Sequence, residues 1–251
     1  MPYMLARLLL APLLRLIYRP VVRGRSNVPR RGPVILASNH LSFVDSIAIA
    51  LLAPRPVHFL AKDTYFTGRG VKGALTRCFF AALGCVPVDR NAHRGARASL
   101  EAAQQVLMSN GAFGIYPEGS RSLDGHLHRG RTGVAWLALA TGAPVIPVAL
   151  TGTDRLLPVG RRLPRFHRIT VTFGRPVDCP THHAAMHPAQ MRRATTDQIM
   201  SAIGDLSGQR YVPNYLNAPE EAPLSQPGRA RKSRRRGTSP SQWAERPPMK
   251  H

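Results

Sequence analysis

Short apolar segments typical of buried β-strands alternate with segments of helical period along most of the chain. The strand-like segments are rich in β-branched residues and cover residues 33–37, 57–61, 85–88, 112–116, 145–150 and 169–173. Helical periodicity occurs between and after them, at residues 44–52, 71–82, 94–108, 133–140 and 189–206. This alternation predicts an α/β fold, with a single domain whose mixed, largely parallel sheet is flanked by helices.

The first 20 residues form a leucine-rich segment that also carries Arg7, Arg15 and Arg19. The uncharged stretch between Arg7 and Arg15 is only seven residues long and contains Pro12, so it is too short to span a membrane. No small-residue cleavage site of a secretion signal follows it. The pattern fits a helix in the headgroup layer of a membrane, and it also fits a helix packed on the protein's own core. We predict an N-terminal amphipathic membrane-surface segment over residues 1–22.

The net charge of the chain predicts an anionic partner. The 251 residues include 35 Lys and Arg against 13 Asp and Glu, which gives a formal net charge of +22. Such an excess favours nucleic acid, an anionic membrane surface or a phosphorylated substrate as the partner. The cysteines Cys78, Cys85 and Cys179 form no C-x-x-C pair, which argues against a zinc ribbon or a disulfide framework and favours a reducing compartment.

The basic residues are not confined to one end of the chain. From Ala218 onward the sequence is rich in Pro, Ser, Arg and Gly and poor in apolar residues, so we predict a disordered basic tail over 218–251. Residues 23–217 then form the folded domain. This domain is itself basic, and Asp45 is its first acidic residue. Because acids are scarce in it, each one is a candidate for a specific role.

The first predicted strand is followed by residues suited to proton transfer. Asn39 and His40 come directly after the strand, and Asp45 lies five residues beyond the histidine. Ligands of α/β proteins bind beyond the carboxyl ends of the strands. A carboxylate bonded to one imidazole nitrogen fixes the tautomer and leaves the other nitrogen free to accept a proton, which describes a general base. An aspartate that only favours the start of a helix would give the same spacing.

A second strand end, at residues 116–122, has the sequence Tyr-Pro-Glu-Gly-Ser-Arg-Ser. Arg121 offers a planar fork that suits phosphate or carboxylate, and the serine hydroxyls and turn amides can add donors. Glu118 could orient that fork or bind a substrate hydroxyl. The alternative is a surface turn with an ordinary Glu–Arg pair of little energetic value.

Four blocks of the sequence, taken in order, resemble the glycerolipid acyltransferases typified by 1-acylglycerol-3-phosphate acyltransferase. Asn39-His40-x4-Asp45 matches the N-H-x4-D block of that family. Residues 116–122 resemble its F-P-E-G-T-R-S block, with Tyr for Phe and Ser for Thr. Residues 84–90, which end in an arginine, resemble the second block, and residues 144–148 match the fourth. The resemblance covers about residues 15–180 of the chain.

The resemblance implies transfer of a fatty acyl group from a coenzyme A or acyl-carrier-protein thioester to the free hydroxyl of 1-acylglycerol-3-phosphate, giving phosphatidic acid. His40 would deprotonate this hydroxyl, with Asp45 orienting the imidazole. The resemblance also implies binding of the acceptor's glycerol phosphate by Lys62, Arg90, Glu118, Gly119, Ser120 and Arg121. Asn39 and Pro147 would shape the pocket.

Partners and location follow from the same resemblance. We expect no metal and no cofactor, and neither a P-loop nor an H-E-x-x-H motif is present. The expected partners are the lysophospholipid substrate, an anionic membrane surface and an acyl-carrier protein as a candidate donor, but not nucleic acid. We expect a peripheral or monotopic protein on the cytoplasmic face of a membrane, and not a secreted one. The alternatives are an acyltransferase for a headgrouped lysophospholipid or an acylated amino-acid lipid, and a basic nucleic-acid-binding protein.

Overall fold

The computed structural model of the protein describes residues 2–88, 93–161, 163–179 and 187–216. The predicted tail and Arg90 lie outside these ranges. The helices are α1 (Pro2–Tyr18), α2 (Asp45–Leu52), α3 (Gly70–Ala82), α4 (His93–Met108), α5 (Gly133–Thr141), α6 (Thr153–Leu156) and α7 (Pro188–Ser207). The strands are β1 (Val21–Arg23), β2 (Val34–Ser38), β3 (Val57–Lys62), β4 (Cys85–Val88), β5 (Ala112–Ile115), β6 (Leu127–His128), β7 (Val145–Thr151), β8 (Thr170–Phe173) and β9 (Tyr211–Val212).

Seven of these strands form the main sheet, in the order β1-β8-β7-β2-β5-β3-β4. Neighbouring strands are parallel at every pairing except β7 with β8, which is antiparallel. The prediction of an α/β domain with a mixed, largely parallel sheet is therefore confirmed. Strands β6 and β9 form a separate parallel pair. Strand β1, at the edge of the main sheet, spans the predicted boundary between residues 22 and 23.

Strand β2 lies in the interior of the sheet, and all five of its residues are buried. Its side chains alternate between two apolar cores, with Val34 and Leu36 in one and Ile35 and Ala37 in the other. The first core also contains residues of α2, and the second contains residues of α4, α5 and α7. Helices thus cover the sheet on both sides, which explains why β2 is apolar from Val34 to Ala37 instead of alternating with polar residues.

Helix α1 packs on the domain by one face and exposes a second apolar face. Its side chains Leu14 and Tyr18 pack against the first core, and Arg7 donates a hydrogen bond to the carbonyl of Ala53. The exposed face carries four leucines with 50% to 73% of their surface accessible, namely Leu8, Leu9, Leu13 and Leu16. Helix α1 thus packs on the protein's own core, which was one of the two alternatives for this segment. Its contact with a membrane stays a prediction. No helix within the described residues is long and apolar enough to cross a bilayer.

Five strands, β3, β4, β5, β2 and β7, run in the same direction and end at one edge of the sheet. The segments that follow them are therefore brought together there, although they are far apart in sequence. Both strand ends selected from the sequence, after β2 and after β5, lie at this edge. This edge is where ligands bind in α/β sheets, and it is where the candidate site is found.

Candidate active site

His40 and Asp45 form a hydrogen-bonded pair directly beyond β2. The Nδ1 atom of His40 lies 2.8 Å from Oδ2 of Asp45. Asp45 is fully buried as the first residue of α2, and the same oxygen accepts hydrogen bonds from the main-chain N–H groups of Leu41 at 2.6 Å and Ser42 at 2.8 Å. The five-residue spacing between histidine and aspartate therefore closes a tight loop around the carboxylate.

The pair leaves one nitrogen of His40 available for chemistry. An ionised carboxylate can only accept hydrogen bonds, so the imidazole donates from Nδ1 and keeps a lone pair on Nε2. Nε2 has no hydrogen-bond partner among the residues that the structure describes. The His40 side chain is 18% exposed, so a substrate can reach it. This is the geometry that general-base catalysis requires.

Tyr116 supports the imidazole ring of His40 from the next strand end. The two rings are stacked, with centroids 3.8 Å apart and planes 11° from parallel. The hydroxyl group of Tyr116 lies 2.7 Å from the Oγ atom of Ser46, and Phe59 stacks near its ring at 5.8 Å. Burial, together with the nearby charge of Asp45, raises the pKa of Tyr116 well above its ordinary value, so the phenol stays neutral. Sequence reasoning recognised this tyrosine as part of a block but missed its contact with the ring of His40.

Both main-chain polar groups of His40 are bonded to the segment after β5. The Oε1 atom of Glu118 accepts a hydrogen bond from the N–H of His40 at 3.3 Å, and the carbonyl of His40 accepts one from the N–H of Ser122 at 2.8 Å. The second oxygen of Glu118, Oε2, accepts from the N–H of His128 at 3.0 Å. Glu118 is fully buried and uses its carboxylate to hold this part of the backbone in place.

The burial of Glu118 also changes its acidity. Removal from water raises the pKa of this carboxyl group from an ordinary 4.5 to about 7, and the two main-chain hydrogen bonds oppose the rise. The resemblance implies that Glu118 helps to bind the acceptor, which stays a prediction; in the structure its two oxygens accept hydrogen bonds from the backbone of His40 and His128. No sequence pattern could indicate this, because the burial of an acid after a strand depends on the packing of distant segments.

Asn39 joins the ends of β2 and β7. Its side-chain nitrogen donates to the carbonyl of Leu150 at 2.9 Å, and its side-chain oxygen accepts from the N–H of the same residue at 2.8 Å. The nitrogen also donates to Oε1 of Gln209 at 2.7 Å. Asn39 is fully buried, so these bonds fix the wall of the site behind His40. Pro147, the other residue predicted to shape the pocket, is buried in β7 opposite Ala37.

The remaining predicted binding residues lie at the same edge of the sheet or outside the described residues. Gly119 has a φ of +82° in the turn after Glu118, a conformation that favours glycine. The Oγ atom of Ser120 is buried and has no hydrogen-bond partner in the described residues, and Arg121 is half-buried. Lys62 is the last residue of β3, and its backbone pairs with Val88.

A segment of residues 209–216, which we call the C-terminal strap, crosses the loop that follows residues 116–122. Gln209 bonds Asn39 and also donates to the carbonyl of Gly125 at 2.7 Å. Strand β9 in the strap pairs with β6, and Arg129 donates from its main chain to the carbonyl of Asn214. Sequence reasoning missed Gln209, since nothing in its neighbourhood marks it as part of a site 170 residues away.

An open cavity of about 350 Å³ lies beside the pair, at the end of β7. Its lining includes Leu41, Gly152, Arg155, Arg168 and Gln209. Leu41 is the neighbour of His40, so the cavity borders the loop between His40 and Asp45, and its wall carries the acidic Asp154 together with two arginines. A cavity of this size suits part of an organic substrate.

Two further observations concern metal ligands and the thiol of Cys85. Among the described residues, no group of three or more His, Cys, Asp or Glu side chains is placed to hold a metal ion. Cys85 lies in β4, where burial raises the pKa of its thiol to about 11. A thiol of that acidity is a poor nucleophile at neutral pH.

The fold and the pair of His40 with Asp45 together define a class of protein. A histidine held by a buried aspartate at the carboxyl edge of an α/β sheet is typical of enzymes that remove a proton from a hydroxyl group or from water. The basic surroundings add a preference for an anionic substrate.

Comparison with known proteins identifies the family. Residues 19–151, more than half of the chain, match the model of the Acyltransferase family. The chain therefore belongs to this family, and the prediction of an O-acyltransferase is confirmed at the level of the family. A chloroplastic 1-acyl-sn-glycerol-3-phosphate acyltransferase of Brassica napus is 29% identical over 144 residues, which cover 57% of this chain and 40% of the relative.

Two further relatives support the same family. A 1-acyl-sn-glycerol-3-phosphate acyltransferase of Borreliella burgdorferi is 28% identical over 134 residues, which cover 53% of this chain and 52% of the relative. The chain thus spans about half or less of the length of the Brassica napus and Borreliella burgdorferi relatives. The crystal structure of the 1-acyl-sn-glycerophosphate acyltransferase of Thermotoga maritima superimposes with a TM-score of 0.57 and 24% identity, over 81% of this chain and 82% of that one. At this identity the structural match establishes the shared fold.

Proposed function

We propose that the protein transfers a fatty acyl group from a coenzyme A or acyl-carrier-protein thioester to the free hydroxyl of 1-acylglycerol-3-phosphate, and so makes phosphatidic acid. The observation that carries this proposal is the His40–Asp45 pair, with Nδ1 bonded to the buried carboxylate at 2.8 Å. The names of the relatives, 1-acyl-sn-glycerol-3-phosphate acyltransferases, support the choice of this acceptor.

In the proposed mechanism, Nε2 of His40 takes the proton of the acceptor hydroxyl as its oxygen attacks the thioester carbonyl. The negative charge of Asp45 stabilises the imidazolium ion that forms. The tetrahedral intermediate collapses, the carbon–sulfur bond breaks, and the departing thiolate receives the proton from the imidazolium. The ester bond gained and the thioester bond lost balance the reaction, and no covalent acyl-enzyme is required.

We further propose that the phosphate of the acceptor binds at the edge of the sheet beside the pair. Arg121 follows the segment that holds the backbone of His40, and its guanidinium fork suits phosphate. The position of Lys62 at the end of β3, and of Arg90 shortly after β4 in sequence, supports a role for both in the same phosphate site. Gly119 and Ser120 can add main-chain and hydroxyl donors from the turn.

The lipid substrate implies contact with a membrane, and we assign this contact to α1. The exposed leucines of this helix would lie among the acyl chains near the headgroups, while Arg15 and Arg19 would lie near the phosphates. We propose that this surface is anionic and faces the cytoplasm. The exposed apolar face of α1 is the feature that supports this location.

The proposal is tested by supplying an acyl thioester together with single acceptors. These are lysophosphatidic acid, a headgrouped lysophospholipid and a singly acylated amino-acid lipid, with the products identified by mass spectrometry. We expect efficient acylation of lysophosphatidic acid. If one of the other two acceptors is acylated and lysophosphatidic acid is not, the proposed acceptor is wrong.

The variant His40→Ala tests the catalytic assignment in the same assay. Loss of the general base should lower kcat by at least about 10²-fold. His187→Asn is the matched control, because His187 caps the start of α7 and asparagine can replace this cap. We expect the control to keep its activity. Near-normal turnover by His40→Ala would refute the mechanism.

A further inference from the structure

The loop between α6 and β8, described over residues 157–161 and 163–168, exposes large apolar side chains among arginines. Phe166 is 89% exposed, Leu163 is 80% exposed and Val159 is 57% exposed. Arg161, Arg165 and Arg168 are also exposed, and no acidic residue occurs between Arg155 and Arg168. We call these residues the basic apolar loop.

The basic apolar loop is held in place at both ends. At its start, the carbonyl of Leu157 accepts a hydrogen bond from the hydroxyl of Ser42 at 2.8 Å, next to the catalytic block. Near its end, the ring of Phe166 lies 6.2 Å from the ring of Tyr18, and Arg168 donates from its side chain to the carbonyl of Arg19 at 3.1 Å. These contacts link the loop to the site on one side and to the end of α1 on the other.

Phe166 therefore places exposed apolar surface of the loop next to that of α1. A cavity between them is lined by Ile17 and Tyr18 of the helix and by Phe166 of the loop. Ile17 and the neighbouring Leu16 are themselves exposed. Large apolar side chains that are clustered and open to water mark contact surfaces, because single exposed residues are common but clusters are not.

The chemistry of the loop selects an anionic lipid bilayer as the occupant of this surface. Guanidinium groups bind lipid phosphates, and the apolar side chains between them can enter the boundary of the acyl chains. A run of arginines with no acid among them complements the negative charge of such a surface. Neighbouring α1 combines leucines and arginines in the same way.

We propose that the basic apolar loop is a second membrane-contact site, which binds an anionic bilayer together with α1. The loop borders the cavity beside the catalytic pair through His167 and Arg168. Contact at two places fixes the tilt of the domain and turns this cavity toward the lipid surface from which a lysolipid is taken. The role of this contact in supplying lysolipid rests on the proposed function, but binding of the loop to a bilayer can be measured without acyl transfer.

The test uses the full chain and sedimentation with vesicles of phosphatidylcholine that contain about one third phosphatidylglycerol. The double variant Leu163→Asp/Phe166→Asp should bind these vesicles at least about tenfold more weakly, because it places two anions at the contact. Met108→Asp is the matched control, since Met108 is 70% exposed at the end of α4, whose residues pack in the other core. The control should bind as the unaltered chain does.

A second variant, Arg161→Ser/Arg165→Ser, separates charge from apolar contact. It should weaken binding to the anionic vesicles severalfold and leave the weaker binding to pure phosphatidylcholine unchanged. Unaltered binding by both variants would overturn the proposal. Loss of binding to duplex nucleic acid without loss of binding to vesicles would also overturn it, and would assign the loop to a different partner.

Activity measurements separate this proposal from the proposed function. With a short-chain substrate dissolved in water, the Leu163→Asp/Phe166→Asp variant should turn over normally, while its rate on substrate in vesicles falls with its binding. A lower rate on the dissolved substrate would refute a role confined to membrane contact. If no acceptor is acylated by the unaltered chain, the proposed function fails, and the vesicle result still decides whether the loop binds lipid.

Discussion

Replacing Glu118 with glutamine should change the way in which the stability of the protein depends on pH. The carboxyl group is fully buried, and its pKa is about 7 in the folded chain against an ordinary 4.5. Between these two values the folded chain binds a proton that the unfolded chain has released. Stability should therefore fall as pH rises across this range, by up to about 1.4 kcal/mol per pH unit and roughly 3 kcal/mol in total.

The sign of this effect follows from the direction of the change in pKa. A folded-state pKa above the unfolded one means that the contribution of Glu118 to stability is fully present below about pH 4.5 and is lost as pH rises through about 7. Glutamine does not titrate, so the variant lacks this contribution to the slope. Its side-chain oxygen can still accept one of the two hydrogen bonds from His40 and His128, which preserves part of the geometry.

The measurement is the free energy of unfolding by urea at several pH values from 4.5 to 8, for the unaltered chain and for Glu118→Gln. The difference between their slopes isolates Glu118, because every other titrating group is common to both. Glu101→Gln is the matched control, since Glu101 is exposed on α4 and bonded only to Arg97 among the described residues. Parallel curves for the unaltered chain and Glu118→Gln would refute the raised pKa.

Two other substitutions test how the site is built. Asp45→Asn should lower kcat on the order of 10²-fold or more, because it removes the charge proposed to stabilise the imidazolium, while the KM for the acceptor changes little. Initial rates at varied acceptor concentration measure both constants. An unchanged kcat would contradict the role of Asp45. Asn39→Ala leaves the N–H and carbonyl of Leu150 without their partner inside the protein, and it should lower the free energy of unfolding by about 2–4 kcal/mol. A urea midpoint equal to that of the unaltered chain would show that the bonds of Asn39 are not needed.

The fold could be predicted from the sequence wherever a segment is long and strongly patterned. The six predicted strands correspond to β2, β3, β4, β5, β7 and β8, and the five predicted helices begin and end within a residue of α2, α3, α4, α5 and α7. Strands β1, β6 and β9 were missed because each has only two or three residues, too few for a period to appear. Their formation depends on the segments they pair with, which lie far away in sequence.

The candidate site was predictable in its chemistry but not in its internal bonds. The spacing of His40 and Asp45 at a strand end allowed their contact but left it open, and the resemblance of the four blocks to the family was what predicted it. The burial of Glu118 against the backbone of His40 was not predictable, because it joins the ends of two strands that are 78 residues apart. The stacking of Tyr116 on His40 depends on the same parallel pairing of β2 with β5.

The C-terminal strap has a consequence for how the chain can be divided. The stretch that matches the family ends at Thr151, yet the buried amide of Asn39 is completed by Gln209. Ile199 and Ile203 of α7 also fill the second core. A gene fragment cut at the family boundary would encode His40 and Asp45 but would expose the part of the second core that α7 covers. A fragment of this chain that folds on its own must therefore extend beyond the residues by which the family is identified.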